Sequence, residues 1–144
     1  AAGRAVGMAS GQGDSSIDIL SGSVIEGDVV FGQGNDRVSV LSGFDGLLAT
    51  GVFQGGMGTN IAVFEAYGLD DVLSFANIDN AWSIALDNGT DAVTGRFADF
   101  GTWTFGTTSY TTAELQAAMP AVPLPAGFLL LGSALGAVAL RRRR

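Results

Sequence analysis

Gly11-Gln-Gly-Asp-Ser-Ser-Ile-Asp-Ile-Leu-Ser-Gly22 returns as Gly32-Gln-Gly-Asn-Asp-Arg-Val-Ser-Val-Leu-Ser-Gly43, 21 positions further along the chain. A third, looser copy opens at Gly56-Met-Gly-Thr-Asn-Ile61, a further 24 positions on. Between the copies lie the apolar stretches Ser23-Val-Ile-Glu-Gly-Asp-Val-Val-Phe31 and Leu47-Leu-Ala-Thr-Gly-Val-Phe53, whose Gly27 and Gly51 each stand seven residues before Gly34 and Gly58. Ile17, Ile19, Val38 and Val40 alternate with polar residues, so each copy reads as a short strand with one buried face. One such unit cannot bury its apolar face alone and needs a stacked neighbour. The period, with two short strands per unit and glycine at the corners, predicts an all-β fold: a parallel β-solenoid (β-helix) with a carboxyl-terminal cap. The alternative is an antiparallel β-sandwich in which the repeats are similar strands.

Beyond Asp71 the repeat fades. Val72-Leu-Ser-Phe-Ala76 is strand-like, and Trp82, Ile84 and Leu86 alternate up to the hairpin-type turn Asp87-Asn88-Gly89. Trp103 and Phe105 alternate with threonines in a further strand. Thr111-Thr-Ala-Glu114 is a capping box and predicts a short helix running to about Met119. Pro120, Pro123 and Pro125 then favour an extended linker. The expected organisation is a glycine-rich acidic β-domain with its cap over 1–110, a short helix and linker over 111–121, and a distinct tail over 122–144.

Composition narrows the function. The chain has 144 residues, 22 glycines, no cysteine and no histidine. Disulfides, thiol chemistry and thiolate metal sites are excluded, as is a Ser-His-Asp triad. Every basic residue is an arginine, and four of the seven are Arg141, Arg142, Arg143 and Arg144. Ahead of them 14 acidic residues face only Arg4, Arg37 and Arg96, a net charge of −11 on the body against +4 on the tail. A nucleic-acid partner requires clustered Lys or Arg on the binding surface, and the body has none. Paired carboxylates survive the filter. Asp70-Asp71 and Asp87 with Asp91 are the pairs to examine for glycan hydrolysis, with solvated surface as the simpler reading. Asn88-Gly89-Thr90 has the form of a glycosylation acceptor and reads here as a turn. The expectation is a protein that is not an enzyme.

The tail carries the clearest address. Val122 to Leu140 is a run of 19 uncharged residues, which as a helix would extend roughly 28 Å, close to the hydrocarbon thickness of a bilayer. The run that follows the prolines, Ala126 to Leu140, is 15 residues, short for a permanent span. The terminal arginines would act as a membrane stop, snorkel to the headgroups and hold the cytoplasmic side, with the body beyond the inner membrane. Gly132 and Gly136 form a small-xxx-small pair suited to close helix packing or to recognition and removal. The expectation is a single transmembrane helix, anchored in the inner membrane during sorting, with a periplasmic body that then reaches the cell surface or the extracellular space. The opening AAGRAVGMAS has no long apolar run. The export signal is therefore expected to have been removed or to precede this segment of a longer protein.

Val122-Pro123-Leu124-Pro125-Ala126, an apolar stretch and a terminal arginine cluster resemble the VPLPA variant of the PEP-CTERM sorting signals. The resemblance covers about the last 23 residues. It implies recognition by an exosortase-type membrane processing enzyme, processing at or near Val122 to Ala126, and export by a Gram-negative bacterium, often in company with extracellular polysaccharide. It implies nothing about the body. Gly32-Gln-Gly-Asn-Asp-Arg-Val38 also resembles the glycine- and aspartate-rich turn of RTX calcium-binding proteins, although Phe31 stands where that motif has its first glycine. That resemblance makes Asp14, Asn35 and Asp36 the candidate calcium ligands. Polar turn residues account for the same three positions. Two functions follow as expectations: a surface or matrix structural and adhesive protein, or a carbohydrate-binding or carbohydrate-active protein (a glycan lyase or hydrolase fragment) using Trp82, Trp103 and Tyr110. Aromatic rings on an open face would favour glycan binding, and buried rings would favour a scaffold.

Overall fold

A computed structural model describes residues 13–119. The strands are β1 (Ser16–Ile19), β2 (Val29–Val30), β3 (Arg37–Val40), β4 (Gly46–Leu47), β5 (Phe53–Gln54), β6 (Ile61–Phe64), β7 (Val72–Ile78), β8 (Ala81–Asp87), β9 (Ala92–Ala98), β10 (Thr102–Phe105) and β11 (Thr108–Thr111). A short 3-10 turn, Leu69–Asp71, precedes β7, and an α-helix, α1 (Thr112–Ala118), follows β11.

The repeat sets the strand pairing. Ile17 pairs with Val38 across β1 and β3, 21 residues apart, and Val38 pairs with Ala62 across β3 and β6, 24 residues apart. Both pairings are parallel, so equivalent side chains stack. The inward ladder Ile19, Val40, Phe64, Phe105 is buried throughout. On the opposite sheet Val29, Phe53 and Phe97 form the corresponding buried ladder across β2, β5 and β9. The Phe53 and Phe97 rings stack at 5.1 Å. Phe97 also meets Phe64 and Trp103 edge-on, at 6.1 and 5.4 Å, so it joins the inner faces of the two sheets.

The expected parallel β-solenoid is not what forms. One sheet has the order β1-β3-β6-β10-β11 and the other β2-β5-β9-β8-β7, with β4 also against β9. Parallel pairing stops at β10 in the first, where β11 returns antiparallel, and at β9 in the second, where β8 and then β7 return antiparallel. The result is a sandwich of two mixed sheets, nearer to the alternative architecture, although its sheets are not purely antiparallel. The physical cause is a pair of tight reversals, one of them at Gly106 (φ 61°) between the directly paired Phe105 and Thr108. Asp79 and Asn80 both adopt positive φ, 53° and 63°, and connect the directly paired Ile78 and Ala81, the geometry of a two-residue hairpin that matches strand twist. The hairpin β7–β8 is inserted between the third copy and its next parallel neighbour. Accordingly Ala62 stands beside Trp103, 41 residues later, rather than at the repeat spacing.

A second expectation is also corrected. Among the described residues no helix is long and apolar enough to cross a membrane, and α1 has seven residues. The predicted transmembrane helix and the inner-membrane anchoring drawn from it therefore find no support in the described fold. Residues 122–144, on which they rested, lie outside the described residues. The capping box takes the predicted form: the Thr111 hydroxyl accepts the Glu114 N–H at 3.1 Å, and a Glu114 carboxylate oxygen accepts the Thr111 N–H at 2.8 Å. Leu115 then seals the end of the core, fully buried.

Glycine is required where layers touch. Gly58 has φ +96°, and a Cβ there would run into the Gly34 carbonyl of the preceding layer. Gly34, at φ +119°, would meet the Gly13 carbonyl in the same way. Only a residue without a side chain allows corners to stack this closely in a left-handed backbone conformation.

Candidate functional site

The three candidate calcium ligands lie at one corner of the stack and are engaged with the backbone of adjacent layers. Asp14 Oδ1 accepts the Asn35 N–H at 2.7 Å, and Asn35 Oδ1 accepts the Thr59 N–H at 2.8 Å. One residue inward, Asp36 Oδ1 accepts the Ser15 N–H at 2.8 Å, and Asn60 Oδ1 accepts the Asp36 N–H at 3.0 Å. Asn60 Nδ2 donates to the Asp99 carbonyl at 2.8 Å and to the Gly56 carbonyl at 3.4 Å. Corner amides are satisfied by these side chains, and the buried one among them, the Asp36 N–H, requires such an acceptor. A matching ladder runs along the other corner, where Asp28 Oδ1 accepts the Val52 N–H and Thr50 Oγ1 accepts the Gly27 N–H.

This donor set does not fit calcium. Calcium takes six to eight oxygens around one point. No group of three or more acidic, histidine or cysteine side chains is placed to hold a metal among the described residues. Asp36 is only 1% exposed, and its Oδ2 is a buried oxygen without a hydrogen-bond partner. A buried carboxylate with one unmet oxygen is costly. The cost falls on a residue whose other oxygen ties two layers together.

The carboxylate pairs are turn formers. Asp71 Oδ2 accepts the Gly68 N–H, and Asp87 Oδ1 accepts the Gly89 N–H, each at 2.8 Å. Asn88 accepts from the Thr90 and Asp91 amides and donates to the Ala66 carbonyl, which commits its amide to the turn. No cavity opens beside any of them among the described residues. The acidic loops do act on one group that the sequence did not single out. Tyr67 is buried, and its hydroxyl has no hydrogen-bond partner. Burial, followed by the negative charges of Asp91, Asp45, Asp87 and Asp71, pushes its pKa up to about 12.

The aromatic side chains are structural. Trp103 is fully buried, and its indole N–H donates to Thr112 Oγ1 at 2.9 Å. Trp82 is half-buried against the core and stacks on Phe75 at 4.5 Å. Tyr110 is half-buried beside Phe105 on the other sheet. The three form no shared open face. The sorting residues Val122, Pro123, Leu124, Pro125 and Ala126, and Arg141 to Arg144, lie outside the described residues.

Asn60 and Asp45 are the other structural residues missed from the sequence. Asp45 Oδ1 accepts the Ala92 N–H at 2.8 Å across 47 residues, and nothing local announces it. Asn60 had a signal, because aligning the third copy at its offset of 24 sets Asn60 beneath Asp36.

The class defined by these features is a mixed two-sheet β-sandwich whose polar residues serve its own backbone and which offers no cleft among its described residues. Comparison with protein families, with curated proteins and with solved structures finds no match to this chain.

Proposed function

We propose that this chain is an exported, non-enzymatic structural or adhesive protein of the cell surface or extracellular matrix. In this reading it is sorted through Val122–Ala126 by an exosortase-type processing enzyme and works beside extracellular polysaccharide. The observation that carries the body's part of this reading is the use of its aromatic and acidic side chains. Trp103 is core, Trp82 is stacked on Phe75, and the aspartates hold turns and layer corners. Glycan-binding sites use exposed rings beside free polar groups, and glycosidases use two carboxylates flanking a cleft. Neither arrangement occurs among the described residues, so the carbohydrate-active alternative has no specific observation in its favour. The sorting part rests on the resemblance of the tail.

Mass spectrometry of the protein recovered from the surface or medium of its native host tests the sorting step. The expected carboxyl terminus lies within or near Val122 to Ala126. A secreted protein still ending in Arg141 to Arg144 refutes it.

A further inference from the structure

The longest free edge in the described fold is β7. It pairs with β8 on one side and closes its sheet. Its seven residues, Val72-Leu-Ser-Phe-Ala-Asn-Ile78, include no charge and no proline. Soluble proteins usually blunt such an edge with lysine, proline or a very short strand. The other edges are shorter: β1 and β11 have four residues each and β2 has two. Two large apolar side chains on β7 stand in solvent, Leu73 at 65% and Ile78 at 52% exposure. Leu73 occupies a bulge without a partner on β8.

We propose that β7 is a homotypic interface, through which a second copy of this chain adds its own β7 antiparallel and joins the two sheets across a twofold axis at Ala76. The two-residue turn makes Ile78 and Ala81 a hydrogen-bonded pair. By the alternation of an antiparallel ladder, Phe75 and Asn77 turn their N–H and C=O groups to the open edge. These two residues flank Ala76 symmetrically. Phase-matched pairing places Phe75 opposite Asn77 of the second copy and makes about four backbone hydrogen bonds. Ala76 meets its own mate at the axis, where a small side chain permits close approach. Ile78 falls opposite Ser74 of the other copy and beside its exposed Leu73, so both apolar side chains lose water.

Two observations favour a second copy as the occupant. The far edge of the same sheet, β2, has only two residues and cannot complement seven, so a head-to-tail chain is disfavoured and an isologous pair remains. The chain carries a net charge of −7, and two copies repel each other wherever carboxylates meet. β7 itself carries no charge to add to that repulsion. Asp70, Asp71 and Asp79 bracket the strand, so salt should strengthen the pair by screening them.

The test uses the full chain in mild detergent. Sedimentation should show a concentration-dependent doubling of mass, stronger at higher salt. The double variant Ala76→Lys with Ile78→Lys, both at exposed positions, should stay monomeric with an unchanged near-ultraviolet circular dichroism spectrum. Because the chain has no cysteine, Ala76→Cys supplies a second measurement. Its Cα should lie roughly 4.5 Å from its mate, within disulfide reach, and oxidation should give a covalent dimer far faster than Val24→Cys. A monomeric wild-type chain at every concentration overturns the proposal and leaves β7 for a strand from another protein. Association that survives the lysine variant points to the apolar tail or another face and also overturns it. Equal crosslinking at positions 76 and 24 overturns it as well. None of these readouts depends on tail processing, so the sorting reading stands or falls separately.

Discussion

Replacing Asp36 with asparagine should make the protein more stable, and replacing it with alanine should make it less stable. Asp36 supplies one acceptor, Oδ1, to the Ser15 N–H, while Oδ2 is buried without a partner. Asn60 occupies the same position one layer on and is already an amide. Its Nδ2 donates to the carbonyl four residues earlier, Gly56, and to that of Asp99 in the next layer. An asparagine at position 36 keeps the bond to Ser15 and replaces the partnerless carboxylate oxygen with an amide, the group that the next layer already accommodates at Asn60. The gain should be about 1 kcal/mol, which for a domain of this size raises Tm by about 4 °C. Alanine removes the acceptor for a layer-joining amide and should cost about 1–2 kcal/mol. Thermal unfolding by circular dichroism, with and without calcium, is the assay. A lower Tm for Asp36→Asn refutes the structural role assigned to this residue. A calcium-induced rise in wild-type Tm that the variant loses would restore Asp36 as a ligand.

Three further outcomes are expected. The Tyr67 pKa is raised to about 12 in the folded state against 10 when unfolded. Its contribution is therefore complete below pH 10 and is lost as pH rises through about 12; by pH 11.5 wild type should have lost about 1–2 kcal/mol through this group. Tyr67→Phe should be near wild type at pH 8 in urea unfolding and should lack that alkaline loss; parallel pH profiles for the two proteins would refute the assignment. Gly58→Ala forces a side chain into a left-handed conformation and onto the Gly34 carbonyl, and should cost about 2–4 kcal/mol in urea unfolding; a change below about 0.5 kcal/mol would mean that the layers are not so closely stacked. Thr111→Ala should cost about 1 kcal/mol through the lost helix cap. It should also let the Glu114 titration, held low by the Thr111 backbone N–H and then by its hydroxyl, move up towards the ordinary glutamate range in an NMR titration.

Much of the pairing was legible in the residues. The offsets of 21 and 24 between glycine-rich copies are the registers of β1, β3 and β6, because equivalent positions of a repeat stack when its strands run parallel. The helix start at Thr111 was legible because a capping box is a local, four-residue arrangement. The candidate site was legible only as a set of positions. Asp14, Asn35 and Asp36 do sit together at one corner, but their oxygens answer the amides of neighbouring layers, and a spacing pattern does not say which partner a side chain will face.

Strand alternation, the repeat offsets, the helix cap and the exclusion of thiol and histidine chemistry were thus determined by the sequence alone, since each depends on residue identity or on contacts close along the chain. The tertiary structure decided how the stack ends. The repeat specified parallel neighbours and suggested that they continue as a solenoid. The reversal at Asp79-Asn80 instead inserted β7 and β8, returned the chain antiparallel and closed a two-sheet sandwich. That choice rests on which distant strand the new hairpin covers, a competition between long-range burials that period-two alternation leaves undetermined. The same competition buried Trp103 at the meeting of both sheets and left β7 as an uncharged edge.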